Sequence, residues 1–393
     1  MGEIVFVLVL NAGSSSLKFN LFDMAKEVSI AEGMAERIGL GEANLACTLA
    51  GDKRKETMPL PTHKEALEAI LDRLRTAVLH ETPIHAVGHR VVHGGPKYGD
   101  SVLVTDEVLQ DIDHFAMYAP LHNPANALGI RTAMAAFPDV PHVAVFDTAF
   151  HHNIPDHARI YGIPYEISQK YGIRRYGFHG TSHAFVAART AILLCRPLRA
   201  LKIVTCHIGN GTSICAVNNG KSMDTSMGMT PLQGVIMGTR CGTIDPSVVE
   251  MLMEYEHLDY DGITDLLNKK SGLLGISGVS SDFREIERAA EQGNDRARLA
   301  RDLLTYNVRQ YIGAYATVLD GIDAITFTAG IGTHSTFVRA KVCSKLSFLG
   351  VKLDPEANEH GTGERIISTP DSKVTVTVVP TNEELMIARE TVR

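Results

Sequence analysis

Three short glycine-containing segments each follow an apolar run, and their chemistry suits phosphate. They are NAGSSS at 11–16, GNGTS at 209–213 and AGIGTHS at 329–335. A polar turn at the carboxyl end of a buried strand exposes backbone N–H groups, and such groups form nests that bind anions. A single segment of this kind is usually only a turn, but three of them together favour a nucleotide-binding site.

Two arginines also lie among glycines. Arg90 shortly precedes His93-Gly94-Gly95, and Arg240 lies between Gly238 and Gly242. We expect Arg90 to follow a strand. Most arginines are solvated surface charges, but a glycine-rich turn lets the backbone approach a ligand. The guanidinium can then bind its carboxylate or phosphate with two parallel hydrogen bonds.

His179 and Asp147 are further candidates for the same chemistry. His179 is flanked by Gly177 and Gly180, which predicts an exposed loop from which the imidazole can reach a ligand. Asp147 ends the apolar run HVAVFD, so its carboxylate is expected at a strand tip. The sequence leaves open whether Asp147 acts in catalysis or only caps a helix or turn.

The segment CAVNNGKS at 215–222 ends like a Walker A loop but does not fit one. Cys215 stands where the first glycine is required, and Asn219-Gly220 is a strong signal for a β-hairpin turn. The sequence therefore predicts a hairpin tip and excludes a P-loop NTPase.

Histidines at i,i+4 spacing raise the question of zinc. His89 and His93 form one such pair, and His179 and His183 form another. The first pair lies in a segment that resembles a strand, and the second lacks the glutamate of a zinc hydrolase. We interpret them as hydrogen-bonded histidines near a cleft.

The elements that must position these groups show a repeat. Near the N-terminus the order is IVFVLVL, NAGSSS, LKFNLF, and near residue 200 it is LKIVTCH, IGNGTS, ICAV. Gly13 and Gly209 occupy matching places. The two copies lie far apart, whereas a solenoid has a much shorter period, so the repeat indicates two related halves.

Helices and strands alternate in the rest of the chain. Segment 63–79 has apolar residues at helical spacing, and 296–319 is expected to be a long buried helix. Asp282 with Glu285, and Thr381 with Glu384, are placed as capping boxes. With the apolar strands HVAVFD and AITFTAG, the alternation indicates an α/β architecture.

Length and composition limit the classes of protein. A chain of 393 residues suits two domains, with the proline-containing stretch at 151–166 as the candidate boundary. A formal charge of -7 argues against a nucleic-acid partner. Six cysteines without CxxC spacing indicate neither a zinc knuckle nor a disulfide framework, and they suit a reducing cytosol. The early apolar run Ile4 to Leu10 is too short to span a membrane and is predicted to be a buried strand.

Segments that occur in order across nearly the whole chain resemble one family. They are LVLNAGSSSLKFNLF, GHRVVHGG, PLHNP, FDTAFH, YGFHGTSH, HIGNGTS, DTSMGMTPLQG, GTRCGTIDP, DFRE, AGIG and PTNEELMIARE. Together they are similar to the acetokinase family, in the larger group of acetate and sugar kinases, Hsc70 and actin. The resemblance implies reversible ATP- and Mg2+-dependent phosphorylation of acetate to acetyl phosphate by a cytoplasmic homodimer.

The resemblance also implies a fold and its division. The expected fold class is α/β, with two duplicated actin-like (ribonuclease H-like) domains of ββαβαβα type and an active-site cleft between them. Residues 1–150, joined by the C-terminal helix 383–393, would form an acid-binding, dimer-related domain. Residues 151–382 would form the nucleotide-binding domain.

Site residues are implied where this sequence matches the family motifs. Catalysis would involve Asp147, His179, Arg240 and Arg90, with the two arginines gripping the carboxylate and the phosphoryl group. The phosphate path would include Ser14, Ser16 and Lys18. Mg2+, or Mn2+ in its place, would be held near Asn11 and Glu383. The methyl group of the acid would be enclosed by Val92, Leu121, Phe178 and Pro231.

The resemblance implies further that ATP or ADP is bound by segments from three parts of the chain. With Lys18, they are His207, Ile208, Gly209, Asn210, Gly211, Asp282, Phe283, Arg284, Gly330, Ile331, Gly332, Thr333 and His334. Thr333-His334 replaces the Glu-Asn pair common in the family, which puts the purine preference in doubt. Cys241, Thr243 and Gln233 depart from the usual pattern near Arg240, outside the catalytic set.

Three questions stay open at this level. The family describes Asp147 as an acid/base residue, but the substrate carboxylate is already ionised at neutral pH and attack removes no proton. We therefore expect Asp147 to orient an arginine or a Mg2+-bound water. A propionate or butyrate kinase is an alternative, because one methylene changes pocket energy by only about 1 to 3 kcal/mol. A non-catalytic ATP-gated binding module is a second alternative, because fold does not fix function.

Overall fold

A computed structural model describes residues 6–49, 51–79 and 83–393. Fourteen strands are assigned within these ranges. In chain order they are β1 (Phe6–Ala12), β2 (Ser16–Asp23), β3 (Val28–Glu36), β4 (Glu42–Leu49), β5 (Asp52–Pro59), β6 (Ala86–Val91), β7 (Val102–Leu103), β8 (His142–Phe146), β9 (Lys202–Ile208), β10 (Thr212–Asn218), β11 (Lys221–Thr225), β12 (Ala324–Thr328), β13 (Arg365–Ile366) and β14 (Thr375–Val378). The predicted first strand is confirmed from Phe6 onward, while Ile4 and Val5 lie outside the described residues.

The same described ranges contain fifteen α-helices. They are α1 (His63–Leu74), α2 (Asp106–His114), α3 (Asn123–Ala136), α4 (Asp156–Arg159), α5 (Tyr165–Tyr171), α6 (Gly180–Leu193), α7 (Ser247–Tyr255), α8 (Tyr260–Asp265), α9 (Gly272–Ser277), α10 (Phe283–Glu291), α11 (Asp295–Val318), α12 (Ala329–His334), α13 (Thr336–Cys343), α14 (Pro355–Glu359) and α15 (Glu383–Val392). A π-helical segment, Arg75–Leu79, continues α1, so the helix predicted at 63–79 is confirmed. The long helix predicted at 296–319 is α11.

The chain divides into two compact units. Unit 1 comprises Met1–His152 together with Asn382–Arg393, and unit 2 comprises Asn153–Thr381. The acid-binding and nucleotide-binding roles that the resemblance gives to the two parts of the chain stay predictions.

The two units contain the same sheet topology. In unit 1 the central strands follow the order β3-β2-β1-β6-β8, and in unit 2 they follow the order β11-β10-β9-β12-β14. In each case the first three strands pair antiparallel and the last two join in parallel. The turn between β10 and β11 is the hairpin predicted there, with Asn219 and Gly220 at φ values of 53° and 76°. The duplicated α/β fold expected from the sequence is confirmed.

Each unit packs helices on its sheet to form a core. In unit 1, Leu67 and Ile70 of α1 belong to one buried cluster with side chains of the first strands, such as Leu8. In unit 2, the long helix α11 contributes Leu304 and Val308, both fully buried, to the corresponding core. The helical spacing of apolar residues seen in the sequence therefore marks the faces that pack.

The C-terminal helix α15 packs on β1, β6 and β8 of unit 1. Gly88 in β6 permits this contact, because a methyl group placed there would lie 2.3 Å from Thr391 Oγ1 and 3.0 Å from Ile387 Cγ2. A side chain at position 88 would therefore require Thr391 and Ile387, or α15 itself, to shift.

Three local predictions from the sequence are wrong. Asp282 does cap α10, but its own N–H donates to Ser280 Oγ, so Glu285 does not complete a capping box. Asn382, not Thr381, caps α15, because its side-chain oxygen accepts from the Leu385 N–H. The segment at 329–335 is not an open turn but the short helix α12.

No helix within residues 6–49, 51–79 and 83–393 is long and apolar enough to cross a bilayer.

Candidate active site

In unit 1 the parallel strands β1, β6 and β8 bring predicted site residues to one sheet edge. Asn11 and Arg90 are penultimate residues of β1 and β6, and Asp147 directly follows β8. Arg90 thus lies within its strand rather than after it. The Asp147 N–H donates to the Val91 carbonyl at 2.9 Å, which extends the ladder by one step. Carboxyl ends of neighbouring parallel strands meet at one edge, so these side chains share it.

Arg90 and Asp147 form a buried ion pair at this edge. Arg90 Nη2 donates to Asp147 Oδ2 at 3.1 Å, and the Asp147 side chain is only 1% exposed. Burial alone would lower the pKa of Arg90, but the Asp147 and Glu383 carboxylates reverse this effect and raise it. Arg90 Nε is buried and has no hydrogen-bond partner among the described residues. This N–H is closed off from solvent, so a ligand could contact only the 18% of the Arg90 side chain that is exposed.

Glu383, the first residue of α15, lies in the same environment. Burial raises its pKa to about 7; Arg90 opposes this shift, whereas Asp147 and Glu384 add to it. The neighbouring Glu384 pairs with Lys18, which is 46% exposed. A half-buried carboxylate that resists ionisation beside other carboxylates is a position that a bound cation would stabilise.

The Mg2+ site expected near Asn11 and Glu383 fits these donors. The described residues contain no group of three or more His, Cys, Asp or Glu side chains that could hold a metal by themselves. Mg2+ commonly keeps several waters and takes only one or two protein oxygens with substrate phosphates. The amide oxygen of Asn11 on β1 and the carboxylate of Glu383 on α15 suit that mode.

Replacing Glu383 by glutamine should change the pH dependence of stability. The folded chain holds the Glu383 proton up to about pH 7, above its ordinary pKa of 4.5. The unfolded chain releases it earlier, so the wild-type free energy of unfolding should fall as the pH rises from 4.5 through about 7. In chelator-containing buffer, Glu383→Gln should be more stable than wild type by about 1–2 kcal/mol at pH 8, allowing for partial solvation of the carboxylate.

Urea unfolding of both proteins at pH 5 and pH 8 measures this difference. At pH 5 the two free energies should converge. Equal stabilities at both pH values would contradict the buried, proton-retaining carboxyl.

Two buried asparagines brace the turn after β6, and sequence reasoning assigned them no role. Asn126 accepts from the Val92 N–H at 3.1 Å and donates to the Ala12 carbonyl at 2.7 Å. Asn123 accepts from the His93 N–H at 3.1 Å and donates to its carbonyl. Both lie in the segment PLHNPAN at 120–126, so the family motif PLHNP was the sequence feature that could have pointed to them.

In unit 2 the hairpin of β9 and β10 carries the second glycine segment. The Gly209 N–H donates to the Gly211 carbonyl at 3.1 Å, as Gly13 N–H donates to the Ser16 carbonyl in unit 1 at 2.8 Å. The matching places of Gly13 and Gly209 predicted from the repeat are confirmed, since each glycine opens its hairpin turn.

His179 stands at the start of α6 beside this hairpin. It is half-buried and adopts φ 55°, rather than lying in an exposed loop. Its Nδ1 hydrogen-bonds Ser213 Oγ at 2.8 Å, and its ring stacks on His207 with centroids 4.0 Å apart.

His179 and Arg240 face the same point above Gly211. A methyl group placed on Gly211 would lie 3.3 Å from His179 Nε2 and 3.9 Å from Arg240 Nη1. Arg240 Nη1 also donates to the Pro231 carbonyl at 3.1 Å, and burial lowers the pKa of this guanidinium. The missing side chain of Gly211 therefore leaves room for a group that both donors can reach.

A cavity of about 620 Å³ in unit 2 unites residues from all three predicted nucleotide segments. Its predicted lining residues are Gly209, Asn210, Asp282, Phe283, Arg284, Gly330, Ile331 and His334. Sequence reasoning missed Ser281, Glu287 and Ser335, which also line it. The signal for Ser335 was its place within AGIGTHS, where it caps α13 and bonds Glu287 at 2.7 Å.

The remaining nucleotide candidates stand outside that lining. Ile208 and Gly332 are buried, and Thr333 lines a neighbouring cavity of about 360 Å³ together with Arg365. His207 and Gly211 lie beside His179, as described above.

The four residues predicted to enclose a methyl group differ in exposure. Val92 and Phe178 are buried, Pro231 is half-buried and Leu121 is 63% exposed. Val92 and Leu121 belong to unit 1, whereas Phe178 and Pro231 belong to unit 2. Their common pocket stays a prediction.

The repeated sheets and their glycine hairpins place the chain in the duplicated actin-like fold class of ATPases and kinases. The acetokinase family model matches residues 6–389. An acetate kinase from Dictyoglomus thermophilum is 54% identical over 392 residues, covering 98% of each chain. The crystal structure of Porphyromonas gingivalis acetate kinase has a TM-score of 0.94 at 47% identity, with 99% of each chain covered. A propionate kinase from Francisella tularensis has the same TM-score at 41% identity, also with 99% of each chain covered.

The chain belongs to the acetokinase family, as its ordered motifs predicted. It is accordingly a phosphotransferase with a carboxyl group as acceptor.

Proposed function

We propose that this protein catalyses the reaction ATP + acetate ⇌ ADP + acetyl phosphate by direct in-line transfer of the phosphoryl group. The observation that carries the proposal is that His179 and Arg240 face one point above Gly211, next to a cavity lined by the predicted nucleotide segments. Phosphoryl transfer depends on positioning and charge compensation, with little covalent chemistry from the protein.

The nucleotide is assigned to the 620 Å³ cavity of unit 2. Its lining joins the glycine turn at Gly209 with the start of α10 and the start of α12. Backbone N–H groups at such turns suit phosphates, and the larger space beyond them suits the nucleoside.

The acid is assigned to Arg90. Its Nη2 is held by Asp147, and 18% of its side chain remains exposed, so the guanidinium is fixed in place and can still be reached by a substrate carboxylate. Hydrogen bonds between a guanidinium and a carboxylate are charge-assisted and therefore strong. Val92, Leu121, Phe178 and Pro231 would surround its methyl group.

Asp147 acts in this proposal as a positioning residue. Its carboxylate fixes the Arg90 guanidinium through the 3.1 Å bond, and the reaction removes no proton from an ionised acid. This favours the orienting role over an acid/base role.

Arg240 and His179 would neutralise charge on the equatorial oxygens of the phosphoryl group. Fixed donors in a partly buried site are worth more than in water, because they need no reorganisation when charge develops. Mg2+, or Mn2+, held near Asn11 and Glu383 would supply further charge neutralisation at the phosphates when bound.

Acetate is favoured over propionate or butyrate by similarity. The acetate kinase relative is 54% identical to this chain, whereas the propionate kinase structure is 41% identical. A non-catalytic binding module is not favoured, because the family consists of phosphotransferases. A homodimeric assembly and a cytoplasmic location, both expected from the sequence, stay predictions.

A hydroxamate trap of the acyl phosphate tests the proposal. With ATP, Mg2+ and acids of two, three and four carbons, we expect the highest kcat/KM for acetate. We expect a difference of about 10- to 200-fold per added methylene at most, as hydrophobic pockets discriminate. Product with none of the acids would overturn the proposal, and a preference for propionate would replace acetate as substrate.

A further inference from the structure

A chain of buried hydrogen bonds in unit 2 ends at His179. Thr205 Oγ1 lies 2.7 Å from His183 Nδ1, and His183 Nε2 lies 2.7 Å from Ser213 Oγ. Ser213 Oγ lies 2.8 Å from His179 Nδ1. Thr205, His183 and Ser213 are each 0% exposed, so bulk water does not compete for these bonds.

The secondary structure brings these four groups together. Thr205 and Ser213 project from the same face of the β9–β10 pair, since Ser213 is opposite His207 and Cys215 is opposite Thr205. His179 and His183 are four residues apart at the start of α6, so both rings point from one side of the helix toward that face.

The number of available protons determines which group donates and which accepts in each of these hydrogen bonds. Ser213 has one hydroxyl proton and two imidazole neighbours, so it donates to one ring and accepts from the other. If it donated to His183, then His183 Nδ1 would carry a proton and donate to Thr205. The buried Thr205 hydroxyl, whose described hydrogen bond is this one, would then have no acceptor for its own proton.

The opposite direction satisfies every proton in the chain. Thr205 donates to His183 Nδ1, His183 Nε2–H donates to Ser213, and Ser213 donates to His179 Nδ1. An Nδ1 that accepts a hydrogen bond carries no proton. His179 is then a neutral imidazole with its proton on Nε2.

We infer that Thr205, His183 and Ser213 are positioning residues that hold His179 as the neutral Nε2–H tautomer. Its Nε2 is the atom that faces Gly211 and the Arg240 guanidinium. The catalytic use of that N–H rests on the proposed function, whereas the tautomer itself does not.

This arrangement makes His179 a hydrogen-bond donor without a second proton. The groups around it in unit 2 are the stacked His207, the Arg240 guanidinium across Gly211, and His183 behind Ser213. Donation to a phosphoryl oxygen would therefore not need acid pH.

Nitrogen NMR of the intact protein tests the tautomer directly. Long-range 1H–15N spectra of protein with labelled histidine distinguish Nδ1–H, Nε2–H and doubly protonated rings. His179→Gln identifies the signal of His179 among the 17 histidines. We expect the Nε2–H pattern at pH 8. An Nδ1–H or a doubly protonated ring would overturn the inference.

Substitutions of the residues in this series of hydrogen bonds test its effect on turnover. Ser213→Ala should lose the fixed tautomer and lower kcat by about 10- to 100-fold, the effect of one strong hydrogen bond, with KM for ATP nearly unchanged. Relative to wild type, its kcat should also fall as the pH rises through the histidine range, because the neutral ring of the variant no longer has its proton fixed on Nε2. A variant with the same kcat and the same pH profile as wild type would overturn the inference.

Two threonines offer a matched comparison. Thr205→Val removes the first donor of the chain, so His179 should show a mixture of tautomers and a lower kcat. Thr190→Val removes an equally buried hydroxyl on α6, bonded to Thr326 at 2.9 Å and to no histidine. Thr190→Val should leave both the tautomer and kcat unchanged, and equal effects of the two variants would contradict the chain.

The NMR result separates this inference from the proposed function. If the wild-type protein has the Nε2–H tautomer but shows no turnover with any carboxylic acid substrate, only the proposed function is refuted. Turnover with the wrong tautomer would refute only the hydrogen-bond chain.

Discussion

Arg90→Ala should lower kcat/KM for acetate by about 10³-fold or more, since it removes the proposed carboxylate ligand and a developing-charge partner. It should also lower the free energy of unfolding by about 3–5 kcal/mol, the usual result of leaving a buried charge without its partner. The group that loses this ion pair is Asp147, whose side chain is 1% exposed. Steady-state kinetics and urea unfolding measure the two effects separately.

A double variant separates stability from chemistry at this pair. Arg90→Met with Asp147→Asn removes both charges at similar volume, so it should regain most of the lost stability while activity stays low. The exposed pair Arg131–Asp113 is a control, and Arg131→Ala should change stability by at most about 1 kcal/mol. Activity near wild type in Arg90→Ala would exclude Arg90 from the site.

Arg240→Ala should lower kcat by about 10³- to 10⁵-fold, the range found for an arginine that stabilises phosphoryl transfer. Folding should be affected little, because the described hydrogen bonds of Arg240 go to the Pro231 carbonyl and the Met237 sulfur rather than to a carboxylate. KM for ATP should change less than kcat, since the predicted contact forms with the phosphoryl group in flight.

Two further variants sharpen that expectation. Arg240→Lys should recover little activity, because an ammonium group cannot reproduce the planar guanidinium. Arg196→Ala, which removes a half-exposed arginine paired with Asp323, should retain wild-type kcat. A kcat for Arg240→Ala within twofold of wild type would remove Arg240 from the mechanism.

The sequence predicted the sheet centres well because their signals are local. Apolar runs interrupted by glycine turns gave both hairpins, and helical spacing gave α1 and α11. It did not predict β5, whose residues DKRKETMP are nearly all exposed and carry no apolar alternation. Such a strand is stabilised by pairing with β4, a long-range contact that a single segment does not reveal.

The residues of the candidate site also fall into those that the sequence predicted and those that it did not. Arg90 was found by the glycines near it and Asp147 by its place at the end of an apolar run, whereas Glu383 was implied only by the family motif PTNEELMIARE. Ser213 and Thr205 were not, since a hydroxyl residue inside a strand looks like ordinary β-propensity. Their role depends on α6 lying across the sheet, which is a property of the folded unit. The cap of α15 was misassigned for a related reason: several residues at a helix start can cap it, and only the backbone decides which one does.

The placement of α15 has a consequence for how the protein is made. The helix that covers β1, β6 and β8 is encoded after the whole of unit 2. During translation, the sheet face of β1, β6 and β8 that α15 covers therefore stays uncovered until the last residues are synthesised. All residues of the unit 2 core are synthesised before that point. A stop codon that removed only the final dozen residues would remove Glu383 from the site and expose Gly88 to solvent. The product would be nearly full length, but unit 1 would lack the helix that covers its sheet.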